Sequence, residues 1–230
     1  RFRKQWTNFL LPKVYHRDFQ YSEVLGCPDE SVVGKSFAQI AEERDCHVVD
    51  AFLDLAAEHG EQLRWYSVMA NDRVGPLQKI SAHPDVLIGF SDAGAHLRNM
   101  AHYNFPLRLL KLARDAEQRG EPFMTLGQAV HRVTGEIAEW FHIDAGVLDV
   151  GKRADLVILD PTKLDERIEE AHEAPMERFG GLSRLVRRND ETIDAVFVNG
   201  KLAVEKGKPT PALGQEAGFG TVLRAGTWEA

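Results

Sequence analysis

The chain is poor in the features that mark the simplest functions. Its two cysteines, Cys27 and Cys46, give no disulfide framework and match no metal-ligand spacing. Both read as inert thiols in a reduced, cytoplasmic setting. No apolar run approaches the roughly 20 residues of a membrane-spanning helix, and Arg1-Phe2-Arg3-Lys4-Gln5-Trp6 lacks the apolar segment of a signal peptide. Nine histidines are present, yet none stand as HxH or HExxH, and GxSxG, the P-loop and GxGxxG are missing too. No self-contained zinc site, serine-hydrolase elbow or nucleotide-phosphate loop is therefore visible. A net charge of −7 offers no basic face to nucleic acid; the local run Arg184, Arg187, Arg188 is offset by Asp190 and Glu191 and reads as solvated surface. The chain also starts without Met, so it reads as processed, trimmed or part of a longer product.

What is present suffices for a core: 43% of the 230 residues are hydrophobic. Residues 9–11 and 14–15 read as strand pieces around Pro12, and residues 27–30 as a loop. Ser36 is placed to cap a short helix over 36–43, and a second helix over 51–59 opens at Asp50 and stops at Gly60. A β-rich run over 64–69, a helix over 74–81 closed by Ala82-His83-Pro84, and an apolar strand over 86–90 follow with short connections. That alternation predicts parallel strands in an α/β protein. Helices are expected over 105–116, with Pro106 in the first turn, and over 129–141, with Thr125 and Gln128 as a capping box and Ile137, Trp140 and Phe141 toward the core. Past Ile143 the texture turns to short strands: 156–159, a hairpin of 195–198 and 201–204 around Asn199-Gly200, and one more over 221–224. The boundary between the α/β part and the β part falls at 143–150.

Chemistry concentrates in Val86-Leu87-Ile88-Gly89-Phe90-Ser91-Asp92-Ala93-Gly94-Ala95-His96. An apolar strand that delivers a carboxylate to its C-terminal end is how α/β barrels build catalytic sites. Asp92, with His96, Arg98 and His102 behind it, offers a carboxylate and imidazoles able to bind metal or move protons. By residue type alone, Asp92 is equally a turn residue or a helix N-cap, and the histidines ordinary members of a polar surface loop.

The run 88–96 resembles the last barrel strand of the amidohydrolase superfamily, most closely its D-aminoacylases (N-acyl-D-amino-acid deacylases). Further segments resemble the family in order. Residues 34–44 and 50–55 match the stretch ahead of strand seven, and Phe105-Pro106 with 125–135 the helices that finish the barrel. Gly146-x-x-x-x-Gly151-x-x-Ala154-Asp155-Leu156-Val157 matches the return into a small β-sandwich, and Val198-Asn199-Gly200 its hairpin. The resemblance implies an α/β fold: the C-terminal part of a (β/α)₈ TIM barrel over 1–143, then strands of a β-sandwich domain over 144–230. It implies zinc-dependent hydrolysis of the amide bond of N-acyl-D-amino acids. Asp92 would be the metal-site residue that takes a proton from the attacking water and delivers it to the departing amine, and His96 a substrate contact. The family's longer loop also carries an arginine for the substrate carboxylate. The loop here is shorter, which leaves open whether Arg98 or His102 takes that place.

The family's other metal ligands have no counterpart in the chain, and a barrel needs roughly 250 residues. The expectation is a C-terminal portion, inactive alone, whose partners are a small-molecule amide and the missing N-terminal part, or a second copy in a homo-oligomer. Neither nucleic acid nor membrane is expected. Two other readings stand beside it: a hydantoinase- or dihydropyrimidinase-like hydrolase of cyclic amides, and a non-catalytic scaffold in which Asp92 only caps a helix.

Overall fold

Short-range hydrogen bonds fix where three of the six described α-helices begin. The computed structural model describes residues 22–67, 70–89, 91, 96, 98–187 and 189–226. The stretches 9–11 and 14–15, together with Phe90 and Asp92, lie outside them. Ser36 Oγ accepts from Gln39 N (3.2 Å) and Gln39 Oε1 accepts from Ser36 N (2.8 Å), so a complete capping box starts helix α1, Phe37–Glu43. Helix α2, Val48–His59, begins earlier than the apolar spacing predicts, because His47 Nδ1 accepts from Val49 N (3.1 Å) and caps it. Gly60, at φ 50°, ends it as expected.

The chain divides into two compact units, Arg1–Leu77 and Gln78–Ala230. In the first, strand β1 (Ser22–Gly26) pairs antiparallel with β2 (Arg64–Ser67). β1 alternates a buried Ser22 and Val24 with an exposed Glu23 and Leu25, so one face of the pair meets α1 and α2. Val24, Phe37, Ile40, Val49 and Leu55 fill the core, with Phe37, Phe52 and Trp65 meeting edge-on at 5.3–6.4 Å between centroids.

Helix α3, Val74–Ser81, lies where expected. The parallel strand predicted after it does not form: residues 86–89 are not in a strand, and every strand pair among the described residues is antiparallel. A strand is defined by its neighbour, and none among the described residues pairs with 86–89. That backbone is instead held through Val86, whose N donates to His83 O (3.1 Å) and whose O accepts from Arg132 Nη2.

In the second unit, α4 (Phe105–Gln118) carries Pro106 in its first turn and buries Leu107, Leu109, Leu110 and Ala113. The helix predicted over 129–141 is two: α5 (Leu126–Arg132), started by the Thr125–Gln128 capping box, and α6 (Gly135–Phe141). They separate at Thr134, whose φ −133° and ψ −90° are not helical. Gly146 meets the chain at this break. At φ 76° it lies so close to the Thr134 and Gly135 backbone that a Cβ would come within 2.8 Å. Trp140 and Phe141, expected in the core, are 61% and 50% exposed and pack edge-on against each other at 4.7 Å.

Beyond α6 the order is β3 (Leu156–Leu159), β4 (His172–Met176), β5 (Leu182–Val186), β6 (Ile193–Val198), β7 (Lys201–Glu205) and β8 (Lys208–Pro209). They form one four-stranded sheet, β3-β6-β7-β8, and a separate β4–β5 pair. The β6–β7 hairpin turns through Asn199 (φ 51°) and Gly200 (φ 77°), the left-handed pair its sequence predicts. The motif ending in Ala154-Asp155 locks that turn: Asp155 Oδ1 accepts from Asn199 N (2.6 Å) and Ala154 O accepts from Gly200 N (2.8 Å). Residues 221–224, expected as a strand, form none. Leu164 and Ile168 pack with the α4 residues in one core, so the elements on either side of the 143–150 change of texture share it. No helix among the described residues is long and apolar enough to cross a membrane.

Candidate active-site loop

The predicted site residues follow one another between residue 91 and α4. Asp92 lies outside the described residues. His96 opens a turn, its carbonyl accepting from Asn99 N (3.2 Å) and Met100 N (2.9 Å), and Arg98 sits within that turn. Both side chains are exposed. His102 is also exposed, and its carbonyl accepts from Phe105 N (3.1 Å) at the entrance to α4. Its neighbours are anchored. Ala101 and Asn104 are 3% and 4% exposed, and Asn104 Nδ2 donates to Ile168 O (2.6 Å).

The anchor that sequence reading missed is Arg187, just past β5. Read as part of a solvated basic run, its side chain is 11% exposed and committed to hydrogen bonds. Nε donates to Ala101 O (2.7 Å), Nη1 donates to Glu169 O and lies 3.6 Å from the Glu169 carboxylate. Tyr103 Oη bonds both the backbone O (3.1 Å) and the backbone N of Arg187. Glu169 also accepts from Arg108 Nε (2.9 Å). Nothing in a run of arginines beside acids signals this, because Ala101 and Tyr103 lie more than eighty residues away and Glu169 eighteen. Arg188 lies outside the described residues.

Partial burial, then the positive charges of Arg108 and Arg187, push the His102 imidazole below its ordinary pKa, against an opposing pull from Glu169. The neutral ring is thereby favoured at neutral pH. As a neutral imidazole, His102 can accept at one nitrogen and donate at the other.

A second ordered feature precedes the loop. The 8%-exposed Arg132 on α5 donates Nε to Ser81 O (3.1 Å) and Nη2 to His83 O (3.0 Å) and Val86 O, with Nη1 paired to Glu136. It ties down the backbone between α3 and the segment running toward Asp92. Beside it lies an open cleft of about 350 Å³, lined by Phe123, Met124, His131, Arg132 and Glu136 among others. None of His96, Arg98 or His102 lines this cleft.

Among the described residues no three His, Cys, Asp or Glu side chains converge as a metal site. Those residues therefore do not by themselves fit a zinc ion, which needs three or four such ligands.

A family model described as "Amidohydrolase family" matches residues 46–203. Uncharacterized proteins of Mycobacterium bovis and Mycobacterium tuberculosis are each 48% identical over 98% of the chain, which spans 38% of their length. Among solved structures, a D-aminoacylase whose binuclear metal centre was studied is 20% identical, covering 91% of this chain and 39% of its own, with a TM-score of 0.47. The N-acyl-D-glutamate deacylase of Bordetella bronchiseptica, solved with zinc and a phosphonate inhibitor, is 24% identical over 90% of this chain and 38% of its own, with a TM-score of 0.46. The family model covers more than half of the sequence, from the cysteine before α2 to the middle of β7, and the chain belongs to the amidohydrolase family.

Proposed function

We propose that the full-length protein is a zinc-dependent hydrolase of N-acyl-D-amino acids, and that this chain brings its proton-transfer residue, Asp92, and a substrate loop of His96, Arg98 and His102. The observation that carries the reading is the Ser91-Asp92-x-x-x-His96 arrangement lying inside the stretch that matches the amidohydrolase family. Water adds to the acyl carbonyl and the C–N bond breaks, releasing a carboxylate and a D-amino acid. Asp92 takes the proton of the attacking water and passes it to the nitrogen that leaves. Zinc, where bound, supplies acidity to water, lowering its pKa to roughly 7. Its other ligands belong to residues outside those described here. A TIM barrel continued through 1–143 and a β-sandwich over 144–230 complete the reading, as does a cytoplasmic location. Arg98 and His102 are the groups on the loop suited to a substrate carboxylate.

The test is substrate profiling of the full-length protein with N-acetyl-D-amino acids, their L-isomers and hydantoin, with and without a zinc chelator. Turnover of the D-isomers that stops on chelation is expected. Asp92→Asn should lower kcat by roughly 10²–10⁴-fold, the usual loss when a positioned acid–base group is removed. Opening of hydantoin without D-isomer turnover would assign the cyclic-amide reading. Near-normal turnover in Asp92→Asn would remove the proton-transfer role.

A further inference from the structure

His102 is flanked on both sides by residues fastened to a single arginine. Ala101, before it, gives its carbonyl to Arg187 Nε (2.7 Å), and Tyr103, after it, bonds the Arg187 backbone through its hydroxyl. We propose that Arg187, with Tyr103 and Glu169, braces the loop bearing Arg98 and His102, and so acts as a positioning residue for substrate recognition. This rests on the loop being the substrate loop of the function proposed above.

Among the described residues, the loop is tied both by its own backbone and by distant chain. Its described internal bonds are the His96 turn and the Phe105 N–H to His102 bond at the mouth of α4. The remaining ties come from distant chain. Arg187 follows β5, and Glu169 ends the short helical turn Glu166–Glu169. Glu169 spans two guanidinium groups, Arg187 at 3.6 Å and Arg108 at 2.9 Å, so the brace reaches α4 as well. A planar guanidinium that meets a carbonyl on one side and a carboxylate on the other fixes orientation as well as distance. The Arg187 side chain is itself mostly out of water, where replacement by an apolar side chain leaves its former acceptors without their donor. Moving Ala101 and Tyr103 carries His102 with them.

The brace has an electrostatic side. The charged groups that act on His102 are Arg108 on α4, Arg187 after β5 and Glu169 on the turn, and the two arginines favour the neutral ring. Arg187 therefore holds the loop in place and adds its charge to the burial and the Arg108 charge that favour the neutral ring, and substitutions can separate the two effects. Lysine keeps the charge and loses the fork; methionine loses both.

The experiment compares Arg187→Met, Arg187→Lys and Tyr103→Phe in the full-length protein, reading kcat and KM for an N-acetyl-D-amino acid across pH together with Tm. Arg187→Met is expected to raise KM about tenfold with kcat within about twofold, as loss of binding contacts does. Its acid limb in kcat/KM should move to higher pH. Arg187→Lys should recover part of the KM and keep the parent's acid limb. Tyr103→Phe, which leaves every charge in place, should raise KM by a smaller factor at an unchanged acid limb; it carries the test alone if Arg187→Met does not fold. An unchanged KM in Tyr103→Phe and Arg187→Met overturns the proposal. So does a fall in kcat that merely tracks Tm and is equal in the Lys and Met variants. If the parent protein turns over no N-acetyl-D-amino acid, the functional reading fails first, and the positioning role falls with it; an active parent with indifferent variants removes the positioning role alone.

Discussion

Arg187 and Asp115 show how much a charged side chain depends on what it meets. Arg187, in a sequence neighbourhood that looks like solvated surface, is nearly buried and bonded to the loop ahead of α4. Asp115 is buried in part on α4, which by itself raises its pKa. Hydrogen bonds from Lys111 (2.6 Å) and Arg114 (2.7 Å) and their positive charges outweigh this and leave the carboxyl below its ordinary value. A carboxylate whose folded pKa is depressed contributes stability that is fully present above the unfolded value of about 3.9 and is lost as pH falls through the folded one. Asp115→Asn is therefore expected to lower stability at pH 7 by roughly 1.5–3 kcal/mol, the scale of a hydrogen bond to a charged group. It should also flatten the loss of Tm below about pH 4, where the parent carboxylate protonates. Thermal melts of both proteins from pH 3 to pH 7 read this directly, and parallel curves would show that Asp115 adds nothing to acid sensitivity.

At the scale of elements, caps and turns follow from residues only a few positions apart. The α5 box is two reciprocal bonds, Thr125 N to Gln128 Oε1 (2.8 Å) and Gln128 N to Thr125 Oγ1 (3.1 Å). Thr125→Ala removes the acceptor and should cost about 1 kcal/mol in urea unfolding, whereas Thr125→Ser should stay close to the parent. Equal midpoints for all three would mean the box contributes nothing. Element lengths were less legible. The pattern over 129–141 reads as one helix because nothing local forbids it. At the break, Gly146 brings the following chain against the Thr134 and Gly135 backbone, a contact the pattern of 129–141 does not reveal. Trp140 and Phe141, on the helix after that break, are exposed.

On the whole-molecule scale, the two units leave large apolar side chains in water. Val150 is 99% exposed and Leu148 83%, near Trp140 at 61% in sequence, and β2 exposes Trp65 and Tyr66. Exposed apolar side chains of this size favour association. These 230 residues, prepared by themselves, are expected to self-associate. Light scattering should report a mass above the monomer that grows with concentration. A monomer mass held over the whole concentration range would show that these faces are not associating surfaces.

The sequence by itself determined what short chemical distances decide: the boxes at Ser36 and Thr125, the stop at Gly60, Pro106 in the first turn of α4, and the Asn199-Gly200 hairpin. The boxes and the helix stop are closed by groups within four residues, and the hairpin's left-handed pair is equally local, although Asp155 and Ala154 lock it from a distant segment. The sequence also carried the family, through runs whose residues are consecutive. Tertiary structure decided which strand pairs with which, that residues 86–89 run without a ladder, and that Arg187 serves the loop of His102. Those outcomes join residues as far apart as β1 and β2, or Ala101 and Arg187. A backbone amide or a guanidinium carries no mark of its distant partner, only of its need for one.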